Sequence, residues 1–139
     1  MKEEQVLSVE QMKHLQELGL DTSDASIYWA RVSHGSRIYD KSKGKWFMSL
    51  QKEFQICGFT SYETLPTYTL QDILNKLPES IQIYNLYIFK QVDLWYFEYI
   101  DVIGNEMFHS ERMPKMIDAA YYMLCWCIRK GYIKRYGEY

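Results

Sequence analysis

The sequence is poor in the residues that mark many functions. Charge of one sign is missing: 16 Lys and Arg stand against 18 Asp and Glu, for a net charge of −2. Both halves of the chain carry the same balance, so no basic face broad enough for duplex nucleic acid is expected. Two local basic clusters, Arg37–Lys41–Lys43–Lys45 and Arg129–Lys130–Lys134–Arg135, read as a solvated loop and a helix C-terminus. Cysteine is scarce and odd in number: Cys57, Cys125 and Cys127 match no zinc or redox spacing. Cys125 and Cys127 point to opposite sides of a helix and cannot bridge each other. Reduced thiols are therefore expected, and with them a cytoplasmic location. Met1-Lys2-Glu3-Glu4-Gln5 lacks the apolar core of a secretory leader. The strongest apolar stretch, Ile81 to Ile103, is interrupted by Asn85, Lys90, Asp93, Glu98 and Asp101, which excludes a membrane-spanning helix.

Recognisable chemistry is equally thin. The histidines His14, His34 and His109 have no metal-ligand spacing around them. Isolated glycines such as Gly35 and Gly44 form neither a phosphate loop nor a dinucleotide fingerprint. No nucleophile elbow is present, and Cys57-Gly58 has no cysteine-protease context. Glu98 and Asp101 are an odd number of residues apart on an extended run, so they face opposite ways. The reading is a non-enzymatic chain with no catalytic residue, no cofactor and no metal.

What is abundant is aromatic: 13 Tyr, 4 Trp and 6 Phe, or 17% of 139 residues. The rest of the composition is that of one ordinary globular domain. Ser8-x-x-Gln11 forms a capping box, Met12, Leu15 and Leu18 make one apolar stripe, and Gly19 supplies a left-handed stop; the pattern predicts a helix over 9–18. Ile27–Ser33, Arg37–Asp40 and Lys45–Leu50 read as a small antiparallel meander, with a short helix over 23–30 as the competing reading of its first strand and Phe54–Phe59 as either another strand or an irregular edge. Residues 60–68 read as a loop. Thr69 then caps a helix with Asp72 at N3, carrying Leu70, Ile73, Leu74 and Leu77, and Pro78 ends it. Ser80–Lys90 and Leu94–Ile103 form a hairpin about a turn at 91–93, and Met107–His109 adds a short strand. Ile117, Ala120, Tyr121, Leu124, Cys125 and Ile128 keep helical spacing over 114–130, closed by Gly131. The fold expected is α+β: an N-terminal helix and small antiparallel meander, followed by an α-β-β-α unit. The chain is read as a single domain, 1–139, with sub-structures 1–60 and 64–133.

The second half opens on Leu65-Pro66-Thr67-Tyr68-Thr69-Leu70-Gln71-Asp72-Ile73-Leu74-Asn75-Lys76-Leu77-Pro78 and closes on Ile117-Asp118-Ala119-Ala120-Tyr121-Tyr122-Met123-Leu124 and Gly131. These segments resemble small phage and prophage proteins of α-β-β-α sandwich type, and Leu7–Trp29 resembles the N-terminus of prophage-type bacterial proteins. The resemblance implies a phage-type accessory protein and carries no catalytic or binding residue with it. The aromatic load is heavier than in that group.

Large groups on both faces of the hairpin require cover on both sides, or leave one face for a partner. Tyr87, Phe89, Trp95, Phe97 and Tyr99 are the candidate interaction face, with either Trp95, Phe97 and Tyr99 or Tyr96 and Ile100 left open. Tyr and Trp dominate protein interfaces, so a protein partner or a homodimer is the expected ligand. The alternative is a stacking platform for single-stranded nucleic acid, against which Asp93, Glu98 and Asp101 on or beside the same strand argue electrostatically.

Overall fold

The computed structural model describes residues 2–34, 44–52 and 61–135. Within them the chain is α+β, with strands in two antiparallel sheets. The first helix, α1 (Val9–Glu17), begins where Ser8 accepts the Gln11 amide and Gln11 returns a hydrogen bond to the Ser8 amide. Gly19 ends it at φ 97°, a conformation costly for any residue with a Cβ. Its amide bonds to the Gln16 carbonyl and that of Leu20 to Leu15. Met12 and Leu15 are fully buried on the predicted stripe.

The front sheet has the order β2-β1-β3: β1 (Ile27–His34) lies between β2 (Phe47–Ser49) and β3 (Ser61–Thr67). Here the structure departs from the sequence reading. Residues 47–49 pair directly with 28–30, and the expected loop at 60–68 is a strand opposite 27–34. Pro66 falls within that expected loop. It sits opposite Tyr28 in β3, which pairs on one side only, and an edge strand has an unpaired side for a residue with no amide proton. β3 thus belongs to the front sheet. Arg37–Asp40 and Phe54–Phe59 lie outside the described residues. Trp29, Ile27 and Leu65 pack on Val6 and Val9 in a small apolar cluster beneath this sheet. Arg31 forms a two-point ion pair with Glu63 across it, at 3.1 and 3.2 Å.

The larger core lies behind. Thr69 and Asp72 form the expected reciprocal cap of α2 (Leu70–Lys76). The second sheet then follows in the order β4-β5-β6-β7: Ser80–Ile81, Tyr84–Gln91, Leu94–Ile100 and Glu106–His109. The β5–β6 turn is Val92–Asp93, with φ at 55° and 59°. The last helix, α3 (Met116–Arg129), starts two residues later than its sequence pattern suggested, with Lys115 at the N-cap. It packs on β6 and on α2, and α1 runs alongside it. Gln11 bonds Asp118 at 3.0 Å, and His14 meets Tyr121 edge-on at 6.3 Å. Leu7, Met12, Leu15, Ile73, Leu77, Phe97, Tyr99, Met123, Leu124 and Ile128 share this core. Phe108 stacks flat on Trp126 at 4.2 Å, and the Tyr99 hydroxyl donates to the Pro78 carbonyl at 2.7 Å. No described helix is long and apolar enough to cross a membrane.

Leu124, with no exposed surface, should cost about 2–5 kcal/mol when cut to alanine, as a large-to-small core change does; the urea midpoint reports it, and an unmoved midpoint would contradict this register. Cys125 and Cys127 are buried and unbridged. Burial pushes the Cys127 thiol up to about 11 and raises Cys125 as well, so little reactive thiolate forms near neutral pH. Both should resist a disulfide reagent in the native protein and react at once in denaturant. Rapid labelling of either one in the native state would show that α3 is not packed as described.

A one-sided sheet and its aromatic ladder

Register assigns every hairpin side chain to a face, because directly opposed residues of antiparallel strands point the same way. Leu86 opposes Tyr99, Ile88 opposes Phe97 and Lys90 opposes Trp95. This is the helix-covered face, and Phe97 and Tyr99 are 0% exposed on it. The other face carries Tyr87 opposite Glu98, Phe89 opposite Tyr96 and Gln91 opposite Leu94. Both helices of the expected α-β-β-α unit lie on the first face, α2 against α3. The five residues named from sequence therefore divide between two faces. Tyr87 and Phe89 stand on the open side. Phe97 and Tyr99 are core, and Trp95 is half-buried at the core's margin. Of the two open sets considered, Tyr96 and Ile100 are half-buried on the side that no described helix covers.

On that side the rings form a ladder. Tyr87 and Phe89 lie 6.2 Å apart at 27°, and Phe89 and Tyr96 lie 5.2 Å apart at 22°. His109 meets Tyr96 edge-on at 6.4 Å, and the Arg112 guanidinium sits 4.9 Å from the Tyr96 ring centre. Such cation–ring contacts hold a planar group against a ring without a carboxylate. Tyr87 is 45% exposed, so the ladder shows an aromatic rim to solvent.

Next to the rings is a polar cluster that spacing along the sequence did not reveal. Glu98 was weighed with Asp101, which instead binds its own turn: its carboxylate accepts the amides of Ile103 and Asn105 at 3.0 and 2.8 Å. The partners of Glu98 come from β7. His109 opposes it in register, and Glu106 shares a hydrogen bond with it. Glu106 is in turn hydrogen-bonded to His109. Burial, then the hydrogen bond to Glu106, hold the Glu98 carboxyl above its ordinary value, whereas the His109 contact lowers Glu106. Of the two carboxyls, Glu98 therefore takes up a proton before Glu106 as the pH falls. The only sequence clue was alternation in Glu106–His109, too short to fix a register.

Other places offer less. Among the described residues no group of three or more His, Cys, Asp or Glu is placed to hold a metal ion. His14 contacts Arg129 and Tyr121, away from the ladder. A concavity of about 560 Å³ lies between Trp29, the start of α1 and the start of α3. Its Ser8, Gln11 and Asp118 are already joined to one another through the helix cap.

The fold favours protonated Glu98. That contribution is complete below the ordinary value of 4.5 and is lost as pH rises through the raised one. Glu98→Gln stays uncharged throughout. Its urea midpoint relative to wild type should improve steadily as pH rises across that window. A gap that does not change with pH would contradict the upward displacement of Glu98.

Scans against protein-family models, curated proteins and solved structures each return no match.

Proposed function

We propose that this chain is a non-enzymatic binding module, of the phage-type accessory class its sequence resembles, which works by capturing protein on the open face of its second sheet. The observation that carries the reading is the ladder Tyr87–Phe89–Tyr96, rimmed by Arg112 and lying on the face that α2 and α3 leave alone. Stiff rings with few rotatable bonds give contact area at low entropic cost, and Tyr and Arg are the residues that anchor interfaces. A cytoplasmic setting agrees with the buried unbridged thiols of α3.

Stacked rings also suit the bases of single-stranded nucleic acid. The charges favour protein. Glu106 stays ionised beside the ladder, Glu98 lies between it and Tyr87, and the net charge of −2 supplies no field for phosphates. The test is selection from a random-peptide display library on the immobilised chain, with the Tyr96→Ser variant as the counter-target. Peptides that prefer wild type, with affinity little changed by salt, are expected. A homopolymeric single-stranded oligonucleotide that binds more tightly than any selected peptide, and weakens steeply with salt, would overturn the reading.

A further inference from the structure

Among the described residues the sheets have four outer edges, and three of them are short, proline-bearing or irregularly paired. β2 is three residues long; β3 carries Pro66, and its pairing with β1 is broken by an irregularity near Val32–His34. On the β7 side the ladder is interrupted between Tyr99 and Ile100. The remaining outward groups of β6 are filled. The Phe97 amide donates to Ser110 Oγ, its carbonyl accepts the Ser110 amide, and Trp95 exchanges both bonds with Met113. Short strands, proline and irregular pairing are the ordinary means of blunting an edge.

The fourth edge has none of these. β4 covers β5 only at Tyr84 and Asn85, and the Leu86 amide is met by the Glu79 carbonyl. Leu86 therefore points its backbone outward, and by alternation so do Ile88 and Lys90. Their amides and carbonyls face an edge on which no described strand lies. The pairing of β5 with β6 runs from Asn85 to Gln91 without a break. Tyr87 and Ile88 are 45% and 40% exposed. The one charge here, Lys90, leans back over the Trp95 ring at 5.0 Å.

We propose that this edge pairs with the same edge of a second copy, two antiparallel β5 strands meeting about a two-fold axis at Phe89. The proposal goes beyond the binding reading above, because it uses the edge of the sheet and not its open face. Residues 87–91 complement themselves. Ile88 of one copy faces Lys90 of the other, so the outward backbone groups of each satisfy those of its mate. The overlap ends naturally, because beyond Gln91 the partner strand turns away at Val92–Asp93 and leaves β4 room. The register also keeps the two lysines from opposing each other, the arrangement that like charges penalise. On the open face Phe89 meets its own copy, and the ladder runs unbroken from Tyr96 of one chain to Tyr96 of the other. An isologous contact of this kind closes as a dimer and cannot propagate.

The register makes the test specific. In sedimentation over a concentration series the wild-type chain should pass from monomer to dimer. Ile88→Lys places two lysines opposite each other twice and should weaken the dimer at least tenfold, more at low salt. Ile88→Glu places a carboxylate opposite Lys90 and should hold the dimer or tighten it. The double variant Ile88→Lys with Lys90→Glu should restore association. Far-ultraviolet circular dichroism of each variant confirms an intact fold at this half-exposed site. A wild-type chain that stays monomeric throughout overturns the proposal, as do Lys and Glu substitutions with equal effect. Peptide capture that depends on Tyr96 would survive either result, so the failure of this proposal can be told from that of the broader reading.

Discussion

One carbonyl joins the two halves of this molecule. The oxygen of Leu7 accepts the Trp29 indole N–H and the Thr67 hydroxyl, each at 2.8 Å, while the Leu7 amide donates to the Tyr68 carbonyl at 3.0 Å. Trp29 lies on β1 and Thr67 ends β3, so both front strands are tied to the residue that precedes the α1 cap. The side chain of Leu7 has no exposed surface and belongs to the larger core with α2 and α3. A buried carbonyl with two donors is fully satisfied, and loss of either would leave a polar atom in an apolar setting, at a cost of about 1–3 kcal/mol. Tyr68 adds a second tie, its hydroxyl donating to Asp24 at 2.7 Å while Lys76 pairs with the same carboxylate. The front sheet is therefore not a separable appendage.

The legible parts of the fold were those written in local chemistry. α1 and α2 were recognisable because each start is a reciprocal cap within four residues, and α3 because its stripe spans several turns. The hairpin followed from alternation. Pairing between distant strands was not legible. Nothing local says that β3 joins β1, and Pro66 fits a strand there only through its position at an edge. The candidate site suffered in the same way. Both faces of β5 and β6 carry rings, so composition named the right strands and could not choose a face. That choice belongs to α3, whose own stripe fixes Phe97 and Tyr99 as the inner pair. The Glu98–Glu106–His109 cluster depends on a four-residue strand with a break in its pairing, which no pattern in the chain specifies.

The division of the sheet into a packed side and an open side also explains how the heavy aromatic content is used. Tyr99 is fully buried, its hydroxyl finding the Pro78 carbonyl, while Phe108 and Trp126 lie flat against each other, half-buried at the margin of the same core. Tyr87, Phe89 and Tyr96 lie in register on the outside, where a monomer gains less from them. The same residue class thus serves stability on one side and offers recognition on the other, divided by a single layer of backbone.

The turn between β5 and β6 bears on how the molecule assembles. Val92 and Asp93 both adopt left-handed backbone angles, a geometry that asparagine and glycine accept readily and a β-branched residue resists. Such a turn is a poor starting point for zipping the hairpin. The strands gain most when Phe97 and Tyr99 find α3, which is contributed by the far end of the chain. Assembly of the sheet is thereby coupled to the docking of a helix that the chain supplies only after β7.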